Sequence, residues 1–185
     1  MGTVKSLLLG MCFVLGACTS QTSTVQTTEK GTQWEWQNGT IVVKTPERPA
    51  GQKSVLGLTT PKLEAVRVGF VGLGMRGPGA VERFTYIPGT QVVALCDYEE
   101  ARADKCQELL KKASMPKAAV YSGDKGYEEL CKRDDIDLVY IAADWLHHFP
   151  VAKCALENGK NVAIEVPSAM NLQECWDLIN LSEST

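Results

Sequence analysis

Six residues carry the first chemical signal. Gly72-Leu73-Gly74-Met75-Arg76-Gly77 is a G-x-G-x-x-G hexapeptide that follows an apolar run directly and opens a helical stretch. Alone the hexapeptide is weak, but between a strand and a helix it reads as a dinucleotide loop. Gly72 permits the tight turn, Gly74 lets backbone approach a pyrophosphate, and Gly77 lets helix and strand pack closely. The helix N-terminus then offers free N–H groups and the positive end of its dipole to phosphate. Asp97 stands twenty residues beyond Gly77, at the end of the next apolar run. A carboxylate there accepts hydrogen bonds from both adenosine ribose hydroxyls and repels a 2′-phosphate, so NAD is the expected cofactor. The competing reading makes Asp97 a turn residue capping the helix that begins near Glu99. Arg76 has two readings as well, a charge-assisted contact to the pyrophosphate or a solvated first-turn residue.

The elements that must hold these residues alternate regularly from Val66. Apolar runs at 66–71, 91–96, 118–121, 137–141 and 161–164 predict strands. Helices are expected from the loop to about Phe84, and over 99–113, 127–132, 150–158 and 172–182. Strands that are continuous apolar runs, each followed by a helix, belong to a parallel sheet covered on both faces. The fold class is therefore α/β, a doubly wound parallel-sheet Rossmann domain over residues 64–185. Upstream, Trp34-Glu35-Trp36 and Ile41-Val42-Val43 flank Asn38-Gly39, the signature of a short hairpin. Residues 19–63 then form a Ser/Thr-rich tether and an arm that packs on the domain surface.

Composition narrows the partners. The 185 residues are 44% hydrophobic and 22% charged, with a net charge of −3, which disfavours nucleic acid. Residues 1–18 read as a signal peptide: Lys5, then a run from Leu7 to Leu15, too short to span a bilayer. Leu15-Gly16-Ala17-Cys18 is similar to a bacterial lipobox, which makes Cys18 the lipidated residue and the membrane a partner through a lipid anchor. The expected location is that of an exported lipoprotein in the cell envelope, periplasm or outer membrane. Cys96, Cys106, Cys131, Cys154 and Cys175 contain no C-x-x-C pair, so no zinc or redox motif follows and free thiols are expected.

Taken together, several stretches resemble the Gfo/Idh/MocA oxidoreductase family. They are Gly72-Leu73-Gly74, Asp97, Trp145-Leu146-His147-His148-Phe149-Pro150, Gly159-Lys160-Asn161-Val162 and Glu165-Val166-Pro167. The run from Val68 to Phe84 looks like that family's glycosidase branch, glycoside hydrolase family 109. The resemblance implies cofactor contacts at Met75, Arg76 and Asp97, and at Trp145, Leu146, His147, His148, Glu165 and Val166 around the nicotinamide. It also implies glycoside cleavage without net redox, on terminal α-linked N-acetylgalactosamine, through transient oxidation, elimination, water addition and re-reduction. Most dehydrogenases of the wider family carry lysine where this chain has Val166, and valine transfers no proton. The resemblance further implies a second α/β domain that holds the glycoside, so no catalytic residue is expected within residues 1–185. A sugar or polyol dehydrogenase and a stand-alone nucleotide-binding module remain alternatives, and a homo-oligomer is left open.

Overall fold

The computed structural model describes residues 26–27, 33–44 and 46–185, so the signal peptide, Cys18 and most of the tether lie outside the described residues. Strands β1 (Gln26–Thr27), β2 (Gln33–Gln37) and β3 (Thr40–Val43) form a small antiparallel sheet. Asn38 and Gly39 both take positive φ, 49° and 78°, as a two-residue hairpin turn demands. The arm that follows reaches the far end of the chain: Gln52 donates to the Asn180 carbonyl at 2.9 Å, and Arg48 pairs with Glu183.

The main sheet is built from β4 (Val66–Val71), β5 (Thr90–Asp97), β6 (Ala119–Ser122), β7 (Leu138–Ile141) and β8 (Asn161–Ile164). All five run parallel in the order β6-β5-β4-β7-β8. Helices α1 (Gly77–Phe84), α2 (Glu100–Lys112), α3 (Gly126–Cys131), α4 (Trp145–Glu157) and α5 (Leu172–Ser184) complete the alternation. Successive strand residues face opposite sides, and two cores result. Val68, Phe70 and Leu95 pack with Val81 and Leu110 on one face; Val139 and Ile141 pack with Leu130 and Val151 on the other. Phe70 is fully buried in a cluster of three rings: it meets Phe84 edge-on at 5.2 Å and Tyr140 at 5.2 Å, and those two are 5.6 Å apart. Burying each such side chain contributes about 1.5–3 kcal/mol.

One helix differs from expectation. Pro150 suggests a helix start, because proline suits the first turn. Helix α4 instead begins at Trp145, where the Asp144 side chain caps it by accepting from the Leu146 N–H at 3.0 Å. Pro150 sits inside the helix, where it has no N–H to offer the carbonyl of exposed Leu146.

The base of the sheet is tied by an ion pair. Arg67 on β4 donates through Nε and Nη2 to both oxygens of Asp137, at 2.9 and 2.6 Å, and its backbone N–H adds a third bond at 2.8 Å. These bonds hold the Asp137 carboxyl below the usual carboxylate range, although desolvation pushes the other way. A depressed folded-state pKa gives stability that is full above the unfolded value and lost as pH falls through the folded one. Asp137→Asn is therefore expected to lower the thermal midpoint at neutral pH. The gap between wild type and variant should close as pH drops below about 4, the ordinary carboxylate value. Thermal melts at a series of pH values check this, and a gap constant down to strongly acid pH would refute it.

Candidate functional site

Where strand order reverses, an open α/β sheet leaves a crevice at its C-terminal edge. Here β4 lies between β5 and β7, and the crevice opens above their ends with a volume of about 1010 Å³. That is the upper end of the roughly 300–1,000 Å³ common for ligand sites. Eleven of the twelve residues expected at a cofactor line it, and the twelfth, Gly77, stands directly behind the loop.

The glycine loop owes its shape to missing side chains. A Cβ on Gly72 would lie 2.2 Å from the Ala143 nitrogen, and Gly72 has φ of +91°. On Gly77 a Cβ would fall 2.1 Å from the Gly72 carbonyl oxygen. Either atom would fill space that the backbone of the loop and the β7 end now occupy. Gly74 is less crowded, with Arg102 Nη1 3.5 Å from its ideal Cβ. Helix α1 starts at Gly77 with Pro78 in its first turn and no side chain on its leading N–H groups. Those donors are left for an anion. The cradle therefore fits a dinucleotide pyrophosphate.

Asp97 ends β5 and is 5% exposed. Its Oδ2 accepts the Leu73 N–H at 2.6 Å, and its Oδ1 accepts the Glu99 N–H at 3.0 Å. Oδ1 also accepts from Arg102 Nη1 at 3.3 Å, while Arg102 Nη2 reaches Glu99 at 2.9 Å. Asp97 thus holds the glycine loop and the turn before α2 and faces the cleft, while the N-cap position of α2 falls to Glu99 and no side chain bonds the cap. Burial, and then the Asp97 charge, pushes the neighbouring Cys96 thiol up to about 12, so this lining sulfur is an unreactive thiol. Cys106 and Cys131 are buried as free thiols too, but Cys154 is only half-buried and Cys175 is exposed.

The opposite wall comes from the ends of β7 and β8. Trp145 and Leu146 open α4 with their side chains exposed to the cleft. His147 Nδ1 lies 2.6 Å from the Asp144 carboxylate. His148 is buried, and its Nδ1 is 2.7 Å from the Pro167 carbonyl oxygen. A carbonyl only accepts, so Nδ1 carries the proton and Nε2 is left as an acceptor. Glu165 accepts from the Tyr140 hydroxyl at 2.7 Å. Burial, together with this bond, raises the Tyr140 phenol above its usual value. Val166 is 84% exposed at the rim, and the bond linking it to Pro167 is cis.

Sequence reasoning missed two participants. Arg102 lies five residues beyond Asp97, in the first turn of α2 rather than at the strand end. Tyr140 sits inside a strand that reads as plain core, and only the pairing of β7 with β8 brings it to Glu165. Among the described residues, no three His, Cys, Asp or Glu side chains converge closely enough to hold a metal ion.

The sequence model of the oxidoreductase family with an NAD-binding Rossmann fold, Gfo/Idh/MocA, matches residues 66–185. Glycosyl hydrolase family 109 protein 4 of Phocaeicola vulgatus is 79% identical over 186 residues, covering 100% of this chain and 36% of that protein. Glycosyl hydrolase family 109 protein 1 of Bacteroides thetaiotaomicron is 56% identical, covering 98% of this chain and 38% of its own length. The chain thus spans little more than a third of the curated relatives it matches. Among solved structures, myo-inositol dehydrogenase from Lactobacillus casei in complex with NAD(H) and myo-inositol shares the fold. Its TM-score is 0.58 at 24% identity, over 65% of this chain and 34% of that one. The match runs through the glycine cradle, Asp97 and the rim at Glu165, and by it the chain belongs to the Gfo/Idh/MocA oxidoreductase family and carries its NAD-binding Rossmann fold.

Proposed function

We propose that this chain is the nucleotide-holding part of an NAD-dependent glycosidase acting on terminal α-linked N-acetylgalactosamine. One observation carries the reading: Val166 stands exposed at the cleft rim, at a position where most dehydrogenases of the wider family carry a lysine. Valine neither donates nor accepts a proton, so the ordinary proton transfer from a substrate hydroxyl has no agent at this position. The names of the family 109 relatives support the same reading. When bound, NAD would supply transient oxidation of a sugar hydroxyl, which acidifies the neighbouring C–H for elimination of the aglycone before water addition and re-reduction.

The chain's own residues bind, orient and exclude water. The loop N–H groups and the α1 terminus take the pyrophosphate, with Arg76 adding a charge-assisted bond from the rim. Asp97 takes the adenosine ribose with the acceptor capacity left after its three internal bonds. Trp145, Leu146 and Val166 form an apolar wall on the nicotinamide side, with His147, His148 and Glu165 beside it. Tyr140 fixes one oxygen of Glu165, so that carboxylate meets the cofactor in a single orientation. The relatives' greater length supports placing the sugar pocket outside residues 66–185.

Three outcomes are expected. NAD should bind more tightly than NADP, because the Asp97 charge beside a 2′-phosphate costs about 1 kcal/mol or more even when screened. Asp97→Asn keeps an acceptor oxygen for the turn, and it should shrink the affinity ratio by roughly fivefold or more. A ratio unchanged in calorimetric titrations would remove Asp97 from the ribose. For the reaction, residues 66–185 can replace their counterpart in the Phocaeicola vulgatus relative. That chimera should release 4-nitrophenol from its α-N-acetylgalactosaminide only with NAD present, while residues 1–185 alone bind NAD and release none. Net NADH accumulation from a free sugar, with no aglycone released, would favour a sugar or polyol dehydrogenase. For location, the chain expressed in a bacterium should partition with membranes, and Cys18→Ala should abolish lipid labelling. One acyl chain anchors weakly, so firm anchoring implies more than one. A wild-type protein that is soluble and unlabelled would end the lipoprotein reading.

A further inference from the structure

Two thiols meet behind one wall of the cleft. Helix α3 ends on Cys131, α4 carries Cys154 in its last turn, and the two helices pack against each other. Cys131 is buried in the core cluster of Val139 and Ile141, while Cys154 packs against that cluster and stays half-buried. The two thiols are hydrogen-bonded to each other. The Asn158 side-chain N–H also reaches Cys154 Sγ, at 3.9 Å. Sulfur is a weak donor and a weak acceptor, so this contact contributes little to stability. Its consequence is chemical: two sulfurs on separate helices are held next to each other. The other thiols are placed differently. Cys96 acts on Cys131 through charge alone, Cys106 belongs to the core on the other face of the sheet, and Cys175 is exposed on α5.

From this we infer that Cys131 and Cys154 are a redox-modifiable pair, which a disulfide oxidant closes into a crosslink between α3 and α4. Cys154 is the point of entry, because it alone of the two is partly open to solvent. Its thiolate attacks one sulfur of the oxidant, whose S–S bond breaks; a mixed disulfide forms at Cys154 and one oxidant thiolate leaves. The Cys131 thiolate then attacks Cys154 Sγ, the mixed disulfide breaks, and the second oxidant thiolate leaves. Two electrons pass from the pair to the oxidant, and the two cysteine protons end on the released thiolates. Burial raises both thiols above their usual values, so closure is slow and follows sustained oxidising conditions. The crosslink bears on the cleft. Tyr127 stands one turn before Cys131, Val151 about one turn before Cys154, and both line the crevice. Joining the two sulfurs therefore ties together, from behind, the helices that carry this stretch of wall. The inference rests on the packing of α3 against α4 and is independent of the nucleotide, the reaction and the location of the protein.

Peptide mapping and thermal melts decide it. The reduced chain is incubated with excess oxidised glutathione, its remaining thiols are alkylated under denaturing conditions, and the tryptic peptides are identified by mass spectrometry. The expected product joins peptides 126–132 and 154–160, which carry Cys131 and Cys154. Because a crosslink restricts the unfolded chain, the oxidised protein should melt roughly 5 °C or more above the reduced one, and dithiothreitol should reverse the gain. Cys154→Ser alters a half-buried position, and its reduced form should melt near the reduced wild type. It should lose both the joined peptide and the oxidation-dependent gain, whereas Cys175→Ser should keep both. Several results would overturn the inference: no joined peptide, a mixed disulfide with glutathione that stops at Cys154, or a bond between Cys131 and Cys96. A joined pair that melts no higher than the reduced chain would overturn it as well, since the native packing would then not accommodate the bond.

Discussion

Backbone meeting backbone at the glycine loop is the constraint on which the rest depends. The loop after β4 emerges between the ends of β5 and β7, and parallel neighbours leave it no room to swing away. A Cβ on Gly72 would lie 2.2 Å from the Ala143 nitrogen, and Gly77 brings α1 down onto the Gly72 carbonyl. That double contact sets the start of α1 and the direction of its free N–H groups. It also brings the Leu73 N–H down to the end of β5, where only a short acceptor reaches it. Asp97 is that acceptor, at 2.6 Å.

Asp97 therefore serves the fold and the ligand with the same few lone pairs. A carboxylate has about four acceptor sites, and three are occupied within the protein. Burying an ionised group to 5% exposure is tolerable only because each bond is to an N–H donor and one donor is charged. This sharing links the loop to the nucleotide: any ligand that draws on Asp97 acts on the Leu73 N–H and on Arg102 as well. A turn-holding carboxylate at a strand end and a carboxylate facing the cleft are here one group, which is why the sequence alone left two readings side by side.

The sheet was legible because its physics is local. Five apolar runs separated by amphipathic stretches admit few arrangements, and the strands begin and end within about a residue or two of their expected bounds. Asn38-Gly39 likewise placed its hairpin. What escaped depended on groups distant in sequence or on one cap outweighing a breaker. Asp144 overrode the Pro150 signal because its cap satisfies the Leu146 N–H and starts the helix a turn before the proline. Tyr140 meets Glu165 across 25 positions, and His148 meets Pro167 across 19; no periodicity reports such pairs. Arg102 carried a faint signal, one turn and a little more along α2 from the strand-end carboxylate, but its reach across to Gly74 belongs to the folded chain.

The two sides of the cleft divide the physical tasks of binding. Its floor is polar and fixed: glycine N–H groups, Asp97 under three hydrogen bonds, His148 pinned by Pro167, Glu165 held by Tyr140. Its rim is apolar and uncovered, with Met75 91% exposed and Leu146 73% exposed beside Trp145, Tyr98 and Val166. Large apolar side chains gathered around one opening are unusual on a protein surface unless something covers them. A dinucleotide with two flat rings would do so, and each Å² withdrawn from water contributes about 25 cal/mol. Such a ligand would draw its affinity largely from the rim and its orientation from the floor. A ligand that covers the rim would also exclude water from the region above Glu165, which would strengthen every charge interaction made there. Val166, 84% exposed, extends that apolar rim, so a ligand that covers it withdraws one more apolar side chain from water.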